Sequence, residues 1–163
     1  MRFDVTELLK GLVGAQVDVE VDLGFHRLGD DLCVDGIKGH LNMLRISEGI
    51  LVRGLLAVDL YVECTRCLKS VREILDIELD ECFRPQQDLR GEEGIWAIDP
   101  DNHIDLNPVV RELAIVSQPM QVLCKPECLG LCPQCGKDLS TGPCDCRSEE
   151  IDPRLAALKA LIE

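Results

Sequence analysis

No stretch of this sequence approaches the roughly 18 consecutive apolar residues of a membrane-spanning helix. Its start, MRFDVTELLKGLVGAQVDVEV, also lacks the positive end and apolar run of a secretory signal. The expectation is a cytoplasmic chain with no membrane partner. Positive charge is scarce as well: 17 Lys and Arg stand against 30 Asp and Glu, a formal net charge of −13. The imbalance lies in residues 1–123, which hold 23 of the acids and 12 of the bases. A body this acidic repels phosphate, which argues against coating nucleic acid by charge alone and fits a basic protein partner better. Solubility by itself is the plainer account of the same charge. Histidine is rarer still, with only His26, His40 and His103, scattered and without a paired motif. Catalytic zinc needs an open position, usually among His or carboxylate ligands, and no carboxylates group here as a magnesium site would require. Zinc hydrolysis and metal-dependent RNA processing are both disfavoured. The expectation is a protein that is not an enzyme and takes no small-molecule substrate.

What is abundant is cysteine. The chain has ten, and six of them fall in residues 124–146, CKPECLGLCPQCGKDLSTGPCDC. A reducing compartment keeps thiols free, so a clustered pattern there reads as metal binding or catalysis before it reads as disulfides. Eight cysteines form four close pairs: Cys64 with Cys67, Cys124 with Cys128, Cys132 with Cys135, and Cys144 with Cys146. Two thiolates two or three residues apart can point from one tight turn at a single ion, and two such turns complete the tetrahedral four-cysteine set that Zn2+ accepts. Gly136 after the second cysteine of CPQCG permits the backbone geometry that turns amides toward the sulfurs.

The preferred pairing joins Cys132 and Cys135 with Cys144 and Cys146 across a short loop, leaving Cys64 and Cys67 to meet Cys124 and Cys128. The alternative is a single ion held by four of the six C-terminal cysteines. A thiol redox protein or sensor using Cys64 and Cys67 is the rival function, although that pair joins two strands rather than opening a helix. Cys33 and Cys82, lone among strand-like residues, read as buried small hydrophobes. Between Pro119 and Glu150 there are too few large apolar residues for a core, so metal would supply the folding free energy there, on the order of 10 kcal/mol.

Strict alternation over Gln16 to Leu23, then over 37–43, 57–62 and 75–79, predicts at least four half-buried strands. The Gly turn at 46–50 and the segment ECTRCLKSV are short links between consecutive strands, which points to an antiparallel meander with Asp18, Glu20, Asp22, Asp76, Glu78 and Asp80 on its solvent face. A short helix is expected at Thr6 to Lys10 with Thr6 as its cap. A second is expected with Asn107 as its cap and Pro108 at its first helical position, with Val109, Leu113 and Val116 on one buried face. The polar stretch from Pro85 to Asn102 reads as a loop, in which Trp96 is an anchor packed on the sheet rather than a stacking platform. IDPRLAALKALIE reads as a terminal amphipathic helix. The fold class is α+β, mainly β: an antiparallel sheet or partly closed barrel with a few short helices and a small C-terminal zinc-binding segment. Its expected divisions are a β body over 1–123, a cysteine-rich zinc module over 124–147 and a helix over 148–163.

VECTRCLKSV, CKPECLGLCPQCGKDLSTGPCDC and IDPRLAALKAL together resemble the YceD family. The resemblance implies a role in accumulation of large-subunit ribosomal RNA and in ribosome assembly. It implies as partner either that RNA or a basic large-subunit ribosomal protein. Some members of the family lack much of the C-terminal cysteine set, which makes Cys64 and Cys67 the expected carriers of the shared function. Arg66, Lys69 and Arg72 put three cations beside this first pair, a candidate contact to RNA phosphates or a partner. The competing expectation is that they offset thiolate charge or pair with acids on the same strands.

Overall fold

The computed structural model describes residues 1–30, 32–86 and 95–146. The helix expected over 148–163 and residues 87–94 of the polar stretch lie outside the described residues. The strands are Arg2–Asp4 (β1), Gln16–Leu23 (β2), His26–Arg27 (β3), Cys33–Val34 (β4), Gly36–Ile46 (β5), Gly49–Glu63 (β6), Ser70–Pro85 (β7), Trp96–Ile98 (β8) and His103–Asp105 (β9). Two helices, Thr6–Lys10 (α1) and Asn107–Ser117 (α2), complete the body.

Seven strands form one curled, half-barrel sheet in the order β1-β9-β8-β7-β6-β5-β2, and β3 and β4 pair apart from it. The centre is the antiparallel meander β2-β5-β6-β7 expected from the alternation, with Ser47 and Glu48 as the two-residue loop between Ile46 and Gly49. Two pairings depart from a meander. Strand β8 runs parallel to β7, and β1 returns from the N-terminus to pair with β9.

Alternation has a simple cause here: one face of the sheet carries the core and the other meets solvent. On β6 the inward residues Ile50, Val52, Leu56, Val58 and Leu60 are all buried, and Leu75, Ile77 and Leu79 continue the layer on β7. The inward position between Val52 and Leu56 is Gly54, where a Cβ would stand 2.0 Å from the His40 carbonyl oxygen; at Gly39 it would stand 2.0 Å from that of Leu55. The two strands can approach and coil there because neither glycine has a side chain, and the curl of the sheet follows. Helix α2 closes the core with Val109, Val110 and Ala114.

The outward residues line up in rows across the sheet. Asp18, Asn42, Arg53 and Asp80 form one row; Glu20, His40, Leu55 and Glu78 the next; Asp22, Lys38, Ala57 and Asp76 a third. Each row starts and ends on a carboxylate.

Several local expectations are corrected. Thr6 is the first residue of α1 rather than its cap, and its N–H is taken by the Asp4 carboxylate at 2.9 Å. Asn107 likewise lies inside α2; the Asp105 carboxylate accepts its N–H, while its own side chain pairs with the His26 ring at 2.9 Å. Val116 is 81% exposed, because α2 buries the 109, 110 and 114 stripe instead. Cys33 is exposed and Cys82 half-buried. Cys82 shares the outward parity of Asp80 on β7, and Cys33 belongs to the small two-stranded hairpin. Trp96 opens β8, packs partly buried on the core, and donates its indole N–H to Glu81 at 3.2 Å.

Candidate metal centres

Strand β6 ends and β7 begins on a turn that brings Cys64 and Cys67 together. The Cys64 N–H donates to the Lys69 carbonyl at 2.8 Å, the Leu68 N–H to the Cys64 carbonyl at 2.9 Å, and Leu68 takes a left-handed φ of 59°. The same turn recurs downstream. The Cys132 N–H donates to Lys137 at 2.9 Å, the Gly136 N–H to Cys132 at 2.8 Å, and Gly136 has φ 70°. Both are Cys-x-x-Cys-x-Lys, and this repeat was the signal in the sequence that would have singled out Lys69 and Lys137 as equivalent positions.

Such turns aim backbone N–H groups at sulfur. Cys64 Sγ receives them from Cys124, Cys67 and Arg66, and Cys132 Sγ from Cys135 and Gln134. Each turn faces a second cysteine pair. Cys64, Cys67, Cys124 and Cys128 place four sulfurs within 4.8 Å of one another, and so do Cys132, Cys135, Cys144 and Cys146. Cys64 Sγ and Cys128 Sγ are 3.9 Å apart and Cys67 Sγ and Cys124 Sγ 3.5 Å. A disulfide needs about 2.05 Å. A tetrahedron of thiolates about 2.3 Å from a central ion has edges of about 3.8 Å, so the sulfur spacing matches chelation and not oxidation.

The thiols also show why such a set of sulfurs favours a central cation. Burial pushes Cys64 up, but the N–H groups of Cys124, Cys67 and Arg66 outweigh it and bring the thiol down to about 6. The N–H groups of Cys135 and Gln134 draw Cys132 down to about 6. Within the same clusters Cys124 is pushed up to about 12, by the neighbouring Cys67 and then by burial, and Cys146 to about 12, by Cys135 and then by burial. Four adjacent thiols cannot all ionise against one another; a dication at the centre removes that conflict and deprotonates the set. Both clusters could therefore hold a metal ion.

The first cluster staples the tail to the body. Cys64, Cys67 and Cys128 are buried with Val71, Leu123 and Leu131 in a small apolar group of their own. Around them the Thr65 N–H donates to the Val122 carbonyl at 2.9 Å, the Leu131 N–H to the Arg66 carbonyl at 3.1 Å, and the Arg66 guanidinium to the Cys128 carbonyl at 2.8 Å. Gly130, at φ 77°, lets the two backbones close, since a Cβ there would lie 2.9 Å from the Arg66 oxygen. The second cluster is more open: Cys132 is buried, Cys135 exposed, Cys144 and Cys146 half-buried. Lys69 reaches across to Asp138 at 2.6 Å, and Asp138 also accepts the Ser140 N–H at 2.8 Å. Lys137 donates to the Pro143 carbonyl at 2.7 Å. Asp138 and Gly130 carry no mark in the sequence that separates them from ordinary loop residues.

The three cations singled out beside Cys64 thus all have intramolecular partners. Arg66 binds the tail, Lys69 binds Asp138, and Arg72 forks onto Asp59 through Nε at 2.9 Å and through its terminal nitrogen. Lys69 and Arg72 nonetheless keep 55% and 61% of their side-chain surface exposed.

Comparison with known proteins adds a family. Residues 52–162 match the family described as large ribosomal RNA subunit accumulation protein YceD. An uncharacterized protein of Mycobacterium tuberculosis is 37% identical over 125 residues, 75% of this chain and 60% of that protein. The uncharacterized protein YlbN of Bacillus subtilis is 32% identical over 106 residues, 64% of this chain and 62% of its own length. The chain therefore spans about 60% of the length of the curated relatives it matches. No solved structure matches it.

Proposed function

The chain belongs to the YceD family, and from that premise we propose that it is a cytoplasmic, non-enzymatic factor supporting accumulation of large-subunit ribosomal RNA and assembly of the subunit. Structural Zn2+ holds its fold. The observation that carries the metal half of this reading is the close approach of the sulfurs, 3.5 and 3.9 Å between facing cysteines of the first cluster and none beyond 4.8 Å in either. Cys64, Cys67, Cys124 and Cys128 would hold one ion and Cys132, Cys135, Cys144 and Cys146 the other. The ions supply cross-linking and charge neutralisation in a segment without a core of its own, and a site closed by four cysteines leaves no position for a reacting water. The thiol-sensor alternative draws on the lowered Cys64 thiol, but that sulfur belongs to a fully buried residue, and thiol exchange requires access.

The partner is ribosomal RNA or a basic large-subunit ribosomal protein. Arg66, Lys69 and Arg72 are exposed enough to touch either, at the cost of loosening their present pairs. The test is genetic: in a strain lacking the protein, large-subunit ribosomal RNA falls relative to small-subunit RNA, and the intact chain restores the ratio while Cys64→Ser with Cys128→Ser does not. An unchanged ratio in the deletion strain overturns the proposal.

A further inference from the structure

We propose that the outward face of β5, β6 and β7 docks a lysine- and arginine-rich protein segment with interleaved apolar side chains. The inference rests on the ribosome-assembly reading for its biological setting and on the surface itself for its chemistry. The face exposes Leu55 and Tyr61 on β6 and Ile74 on β7, which are 66%, 55% and 60% exposed. They share one side of the sheet, since Leu55 and Tyr61 have the same parity on β6 and Ile74 stands opposite Asp59 between them. Ile74 and Tyr61 are diagonal neighbours and form an apolar pair, and Leu55 stands two rows, about 14 Å, along the strands beyond Ala57 and Asp76, so the face offers two separate apolar contacts.

Carboxylates flank Leu55 on both sides, while Ile74 and Tyr61 lie past the end of β2, with Ile74 continuing the β7 row. Asp18, Glu20 and Asp22 stand on β2 and Asp76, Glu78 and Asp80 on β7, the two ledges separated by three inter-strand steps, about 14 Å. Along each ledge the acids repeat every second residue, about 7 Å, the spacing of same-side residues in an extended chain. The face has its own cations, but they are already matched: Lys38 pairs with Asp22 at 3.1 Å, Arg53 with Asp80 at 2.8 Å, and Arg72 with Asp59. Glu20, Asp76 and Glu78 have no ion pair among the described residues.

Charge complementarity decides the class of occupant. Phosphate would meet two rows of like charge, and the face offers a base only the single ring of Tyr61. A basic segment instead places cations on the free carboxylates and aliphatic stems and side chains on Leu55 and Ile74.

The experiment titrates the metal-loaded full chain, labelled for NMR, with three probes: a peptide alternating lysine and leucine, an oligolysine of equal charge, and a single-stranded RNA of matching length. The expected result is that the alternating peptide binds at least tenfold tighter than oligolysine, with shifts confined to the outward residues of β2 and β5–β7. L55S with I74S removes that margin, and D76N with E78Q weakens both peptides about tenfold; all four sites are exposed, and unchanged spectral dispersion verifies folding. Shifts elsewhere, a margin that survives L55S with I74S, or tighter binding of RNA to this face overturns the inference. Its failure is separable from failure of the ribosomal reading, because the strain test reads RNA levels with the intact chain and uses none of these variants.

Discussion

At the residue scale, two left-handed positions do the same work at different cost. Gly136 reaches φ 70° freely, whereas Leu68 holds φ 59° with its side chain 59% exposed, so no packing compensates the strain. Leu68→Gly should leave the metal-loaded protein as stable as before or more stable by up to about 1 kcal/mol, and Gly136→Val should cost about 1–2 kcal/mol, both read by denaturant unfolding. The gathering of the eight paired cysteines into two groups of four was legible because close Cys spacing is what a turn able to hold a metal requires; Leu68 was not, because nothing in a leucine announces a positive φ. Cys33 and Cys82 misled for the complementary reason: hydrophobicity alone does not say which face of a strand a residue occupies. Cys64→Ser should lower bound metal from two ions to one or none, while Cys33→Ser should leave it unchanged, as measured by metal analysis.

The pH response also belongs to single residues. The Arg72 guanidinium beside Asp59 holds that carboxyl below its ordinary value. A carboxyl depressed in the fold contributes stability above the unfolded value near 4 and loses it as pH falls through the lower folded value. Asp59→Asn should therefore be less stable than the parent at pH 7, and the gap should close as pH drops below about 4, as unfolding midpoints across that range would show.

At the scale of elements, the long strands were readable and the short ones were not. β2, β5, β6 and β7 alternate because a single buried face selects every second residue. β1, β8 and β9 have three residues each, too few for a period, and their pairings are fixed by contacts far apart in sequence, such as Phe3 opposite Ile104. The coiling of β5 against β6 depends on Gly39 and Gly54. Gly54→Ala should destabilise the protein by about 1–3 kcal/mol, since its methyl group would meet the His40 backbone oxygen at 2.0 Å, which cannot turn aside as the nearby Leu41 side chain can; an unfolding free energy equal to the parent's would show that the strands tolerate the separation.

At the scale of the whole molecule, the body and the cysteine-rich tail are stabilised by different physics. The body has a continuous apolar core from Val5 and Val21 to Ala114. The tail has buried sulfur and a few aliphatic neighbours, joined to the body through the turn at Cys64. The division into a β body and a metal module over 124–147 is proposed on that difference. It makes the metal a condition for order in one part and not in the other.

The most direct measurement is a two-dimensional amide NMR spectrum of the reduced protein before and after removal of metal with a strong chelator. The account predicts that signals from residues 64–69 and 122–146 lose their dispersion while those of β5, β6 and β7 persist. Dispersed, unshifted signals from both cysteine clusters after complete metal removal would contradict it.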